Sequence, residues 1–289
     1  MRAALIALAL LCAGTAAGCG GARTTTTVRA PAPKPAAGLR VGVVGPLELN
    51  VAGAVAEHGT LAEVSGDAVV LVAAGMASVA AVAAAADAHP ATHFALVGAA
   101  SKGHNRPNLV GLVLNDQEAA LLGGVVAGGV ATAEGGLGAR VAWVGPEERS
   151  LARAYARGAQ DVQPGTTVLR FWSSDLPAAC KEAALGAIAH GAVVVMAHGG
   201  LCADAAIAGA HQQNRIGLRV SDFELPSVAV GVLVRDAVAG INRGGEDLVF
   251  GAASGAIGVL HLDRRIPTDV ATRARTAAQE LASGLRPSP

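Results

Sequence analysis

The chain has 289 residues, 52% of them apolar, enough for one large domain or two small ones with a substantial core. Its 22 basic residues balance 22 acidic ones and no cluster of four or more basic residues occurs, so nucleic acid is not an expected partner. Aromatics contribute only 2%, so the core must be built from Ala, Val and Gly with closely approaching backbones.

At the start, Arg2 precedes an apolar run from Ala3 to Ala13, and small residues lead on to Cys19. That is the layout of a secretory leader, too short to span a bilayer. "AAGC" resembles a bacterial lipobox, with Ala16 where leucine is usual, so residues 1–19 read as a lipoprotein signal and Cys19 as the lipidated residue. Plain secretion, or anchoring through Cys12, are the alternatives. Residues 20–38, rich in Gly, Thr and Pro, read as a flexible tether. Cys180 and Cys202 then remain in a compartment where disulfides persist. A bridge between them would close a loop of about 23 residues and contribute on the order of 3 kcal/mol. Two buried free thiols are the other possibility.

From Leu39 onward, β-branched runs alternate with Ala-rich helical stretches, the pattern of parallel sheets covered by helices. Strands are predicted at "LRVGVVG", "AVVLVAA", "HFALVG", "NLVGLVL", "ARVAWVG", "TTVLRFW", "AVVVMAH", "RIGLRV" and "AIGVLHL". Helices are predicted to begin near Met76, Asp116, Glu147, Asp175, Leu201, Ser227 and Thr268, with Asp175 and Ser227 as caps. Ala68 to Ala86 lacks any charge and is long enough for a membrane span, yet its β-branched opening and the break at Gly75 read more simply as strand, turn and helix.

Parallel sheets carry their functional loops at the carboxyl ends of strands. Here those are Gly45–Asn50, Gly98–Lys102, Asn115 and Asp116, Gly145–Glu147, Trp172–Asp175, His198–Asp204 and Arg219–Asp222. They contain no G-x-S-x-G elbow, no G-x-x-x-x-G-K phosphate loop and no complete G-x-G-x-x-G, and the histidines lack metal-ligand spacing. No catalytic residue, metal or cofactor is therefore expected. Glu147, Glu148, Asp116 and Glu118 stand at helix starts, where acidic residues complement the dipole. Gly199 and Gly200 could admit a ligand to the first turn of a helix, or could simply form a tight turn.

Several segments in order resemble the basic membrane protein family of ABC-transporter substrate-binding lipoproteins. "HPATHFALVG" is similar to the strand after the family's first long helix. "NLVGLVLNDQEAALLGGVVAG" places Glu118, Ala119, Ala120, Leu122, Gly124 and Ala127 where the family carries its E-a-a-x-L-x-G-x-x-A helix. "ARVAWVG", "YARGAQDVQPGTTV", "FWSSD", "HGAVVVMAHGG", "RIGL" and "IPTDV" continue the order across about Ala68 to Leu285. Departures fall on ligand residues. "GPLELNVAG" keeps only Asn50 of the family's first loop, Gly98 and Arg219 stand where the family has Asp, and the lysine expected after Ser227 is missing.

The resemblance implies two doubly wound α/β lobes of the type 1 periplasmic-binding-protein kind. Lobe one would take residues 39–114 and 226–250, lobe two residues 115–225 and 251–285. It implies a monomeric, lipid-anchored protein on the extracytoplasmic face of the cell membrane. Its partners would be a small polar ligand, nucleoside-like by family, and an ABC permease. The expected polar wall is Asn50, Asp175, Gly199, Gly200, Arg219 and Asp222, with Trp172 or Phe171 as a stacking platform. Arginine cannot accept from ribose hydroxyls, so Arg219 points either to an anion or to a structural pair with Asp222 or Asp175. A ligand-free surface or signalling lipoprotein is the alternative function; an enzyme of unrecognised type is a further one.

Overall fold

The computed structural model describes residues 38–136, 138–260 and 262–289. The expected leader, the lipidation site at Cys19 and the tether up to residue 37 lie outside them. In chain order the strands are β1 (Leu39–Val44), β2 (Ala54–His58), β3 (Val69–Ala73), β4 (His93–Val97), β5 (Leu109–Leu114), β6 (Arg140–Gly145), β7 (Thr167–Trp172), β8 (Ala192–Ala197), β9 (Ile216–Arg219) and β10 (Asp247–Phe250). The α-helices are α1 (Leu61–Val64), α2 (Val79–Ala88), α3 (Asp116–Gly135), α4 (Arg149–Val162), α5 (Pro177–Ala189), α6 (Gly200–Gln212), α7 (Pro226–Val238) and α8 (Thr268–Ala282).

The strands form two sheets, ordered β10-β5-β4-β3-β1-β2 and β7-β6-β8-β9, and every ladder between named strands is parallel. Apolar runs explain the inner strands: all five residues of β3 are buried, because helices cover both faces. On sheet one, α1 and α2 pack on one face and α7 touches β3, β4 and β5. On sheet two, α5 and α6 pack on one face, with α3 and α4 on the other and α8 against α3.

Small residues decide how closely α3 and α4 cross. A Cβ on Gly124 would collide with the Tyr155 carbonyl, and one on Gly158 with the Leu121 carbonyl, so the two backbones touch where neither residue has a side chain.

The chain leaves sheet one after Leu114, returns with α7, and leaves it again after Phe250. These crossovers are bonded to one another. Asn115 N–H donates to the Phe250 carbonyl at 2.9 Å, Leu225 N–H to Ala256 at 2.7 Å, and Gly258 N–H to Phe223 at 2.9 Å, around an antiparallel bridge of Glu224 with Ile257.

Three readings change. Among the described residues of "AIGVLHL", 256–260 and 262, no strand forms; the pairing found there is the single bridge of Ile257 with Glu224 of the other crossover. Two edge strands, β2 and β10, escaped the sequence pattern, since four of five residues in β2 are exposed and β10 has only four residues. The caps expected at Asp175 and Ser227 are instead Leu176 and Leu225, each followed by a proline, whose fixed φ and missing N–H suit a first helical position. Residues Ala68–Ala86 fold as β3 and most of α2, and no described helix is long and apolar enough to cross a membrane.

Candidate functional site

Parallel strands bring the carboxyl ends of β6, β8 and β9 beside the first turn of α3 and the second crossover, where a group of ionisable side chains meets. Asp116 opens α3, whose cap is Asn115; the Asn115 side chain accepts from Glu118 N–H at 3.4 Å. Glu224 lies in the crossover between Phe223 and Leu225, beside the Asp116 carboxyl group. His198, just past β8, stacks on buried Trp143 with ring centroids 6.3 Å apart. Its Nε2 lies 3.6 Å from Glu148, the cap of α4.

Burial sets the electrostatics. It pushes Glu224 up to about 8, and the neighbouring Asp116 and Asp222 add to the effect. Burial likewise raises Asp116 despite the nearby His198, and raises Asp222 despite Arg219. At neutral pH Glu224 is therefore largely protonated and can donate to a polar ligand as well as accept from one. A cavity of ≈ 240 Å³ lies beside Glu224, lined by Pro46, Leu47, Glu48, Leu225 and Leu260 among others.

The side chains singled out in the sequence fall into separate groups. Arg219 ends β9; its Nη2 meets Asp204 of α6 at 2.9 Å, its Nη1 stands 3.9 Å from Asp222, and its backbone N–H donates to Asp222 at 2.8 Å. The arginine is thus held by carboxylates, with Asp204 rather than Asp175 as the close partner. Gly199 caps α6 at φ +90°, a conformation that glycine alone adopts freely, and a Cβ there would stand 3.7 Å from Asp175 Oδ1. Gly200 faces open space. Trp172 ends edge strand β7 and is 39% exposed, whereas Phe171 turns to the α5 side and tilts against His190 at 5.8 Å. Asn50 is exposed, in the loop after β1 whose Pro46, Leu47 and Glu48 line the cavity beside Glu224. Cys180 and Cys202 are joined by a disulfide with Cα atoms 5.3 Å apart, fastening the first turn of α5 to that of α6.

Two wholly parallel sheets, linked by crossovers that bond to one another, decide the architecture. This is a type 1 periplasmic-binding-protein-like fold. It is similar to an ABC transporter solute-binding protein from Conexibacter woesei, with a TM-score of 0.60 and 18% identity, covering 86% of this chain and 97% of that one. It is also similar to one from Aeropyrum pernix, at 0.56 and 16%, covering 86% and 93%. A transcriptional activator of the comK gene from Bacillus halodurans matches at 0.63 and 13%, covering 86% and 99%. At these identities the likeness is one of fold. No protein-family model matches the sequence, and no curated protein does.

Within the type 1 fold, Asp116 and His198 fall in the carboxyl-end loops that the sequence marks as candidate positions, although neither belongs to the expected polar wall, and Glu224 falls in none of those loops. The one signal available was position, since Asp116 and Glu224 each stand where the chain changes sheets. Glu118, matched to the family helix, serves the framework: it accepts from Ala252 N–H at 2.6 Å and from Ser288 Oγ at 3.0 Å. Among the described residues no cluster of His, Cys, Asp and Glu is arranged to hold a metal.

Proposed function

We propose that this chain is an extracytoplasmic solute-binding lipoprotein, anchored through Cys19, that captures a small polar ligand and presents it to an ABC permease. The carrying observation is the fold, shared over 86% of the chain with two ABC solute-binding proteins, together with the carboxylates that its crossovers gather. The proposed moving bodies are residues 39–114 with 226–250, and 115–225 with 251–285. Ligand capture is then a hinge equilibrium, biased by contacts to both lobes.

The side chains favour one ligand chemistry. Asp116, Asp222 and Glu224 accept from hydroxyl or ammonium groups, and protonated Glu224 also donates. Arg219 is already paired with Asp204, which speaks against an anion there. A polyhydroxylated or amine-bearing ligand, a nucleoside included, fits this set. Trp172, Asp175, Gly199 and Gly200 would form the wall on lobe two, with Asn50 on lobe one. The resemblance to the basic membrane protein family supports the same reading, as a monomer without enzymatic activity.

Melting temperatures of the full chain with nucleosides, sugars, amino acids and organic anions test it. A ligand at a hundred times its Kd stabilises the native state by about 2.7 kcal/mol. A shift with a hydroxylated or amine-bearing class is expected. No shift with any class would leave the ligand-free surface module as the better account.

A further inference from the structure

The outer flank of sheet two carries a second polar feature that the binding reading does not use. A groove of ≈ 520 Å³ lies between α4 and edge strand β7, lined by Arg153, Ala156, Arg157, Gln160, Asp161, Pro164 and Arg170. Two independent parts of the chain supply its cations. On α4, Leu151, Ala152, Tyr155 and Ala159 are buried, while Arg153 and Arg157 stand one turn apart on a more exposed face. On β7, Leu169 and Phe171 pack toward α5 and α6, so Arg170 between them faces the α4 side with Val168.

These three guanidiniums stand without an ion pair of their own: among the described residues no carboxylate pairs with Arg153, Arg157 or Arg170, whereas Arg149 next along the helix is bound by Glu147. The single acid in the lining, Asp161, is one turn beyond Arg157 but is held by Arg286 at 2.8 Å. Like charges one turn apart disfavour a helix, and a third guanidinium from another element adds to the repulsion. In a chain of zero net charge, three unpaired arginines lining one groove form a local excess that an anion would relieve. Guanidinium forks match the oxygens of a phosphate group bidentately, and the volume suits a ligand carrying one or two such groups.

We propose that the groove between α4 and β7, with Arg153, Arg157 and Arg170, is a binding site for phosphate-bearing anions, separate from the cleft between the sheets. The groove reaches from Arg170 toward Pro164 at the amino end of β7, away from the carboxyl-end loops. The phosphate can come from a soluble compound or from an anionic lipid headgroup.

The test uses the full chain carrying Cys19→Ala, which removes the proposed lipid. Inorganic pyrophosphate is titrated calorimetrically at low salt, and flotation is measured with phosphatidylcholine vesicles with and without phosphatidylglycerol. The variants are R153Q/R157Q, R170Q and R153K/R157K, with far-UV circular dichroism as the fold check. Saturable pyrophosphate binding, weakened on the order of 10-fold or more by each Gln variant and less by the Lys variant, supports the site and a soluble source. Flotation that needs phosphatidylglycerol and is lost in the same folded variants supports the site and a headgroup source. Binding to neither probe, or binding equally strong in folded R153Q/R157Q and R170Q, overturns the proposal. Because these residues lie outside the cleft, cleft-ligand melting shifts should be unchanged in all three variants.

Discussion

Glu224 of the second crossover and Asp116 at the start of α3 are neighbouring half-buried carboxyl groups, each of which acts on the other's ionisation. Burial and neighbouring carboxylates push Glu224 from 4.5 up to about 8. The folded chain therefore holds a proton that the unfolded chain has released between those values, and stability must fall as pH rises through that window. The burial-raised Asp116 and Asp222 act with the same sign. One proton gives a slope of at most about 1.4 kcal/mol per pH unit. Urea midpoints measured from about pH 5 to about pH 8 should decline, and Glu224→Gln, which keeps a donor and cannot ionise, should flatten the decline. A wild-type midpoint that rises over this range would refute the assignment.

Glu118 ties the start of α3 to the third crossover through Ala252 N–H, and a Cβ on Gly251 would stand only 2.6 Å from its Oε2. Glu118→Ala leaves that N–H buried without its acceptor and should destabilise the fold by about 1–3 kcal/mol. Glu118→Gln keeps an acceptor oxygen and should lose less. Equal losses in chemical denaturation would show that the charge, and not the bond, matters.

The contact between α3 and α4 gives a third expectation. Gly124→Ala pushes a methyl into the Tyr155 carbonyl, where only backbone can yield, so the cost should reach the upper end of about 1–3 kcal/mol. Gly200→Ala, facing open space at the first turn of α6, serves as the control and should change the denaturation midpoint little.

The inner strands of both sheets were legible because burial on two faces demands unbroken Val, Leu and Ala, as in β3 and β8. Edge position hid β2 and β10, and the apolar run at Ala256–Leu262 misled because Ala256 and Ile257 are buried in a crossover instead of a ladder. At the site, Arg219 and Asp222 could be read together because they stand three positions apart on one turn. Asp116 and Glu224 could not, since only the passage between sheets brings them into contact, and no local spacing encodes that.

The Cys180–Cys202 bridge holds α5 to α6 beneath Gly199 and Gly200. Thiol labelling of the denatured, unreduced chain, read by peptide mass, should leave both cysteines unlabelled. Reduction should then lower stability by on the order of 3 kcal/mol. Labelling at both positions would contradict the bridge.

We propose that a polar ligand is held where the crossovers gather their carboxylates. Calorimetric titration of the class that raises the melting temperature, against wild type, Asp116→Ala and Glu224→Ala, addresses it most directly. Losing a hydrogen-bonding partner of the ligand at such a site is expected to weaken binding on the order of 10-fold or more in each folded variant. Affinity identical to wild type in both variants would place the ligand elsewhere and contradict the account.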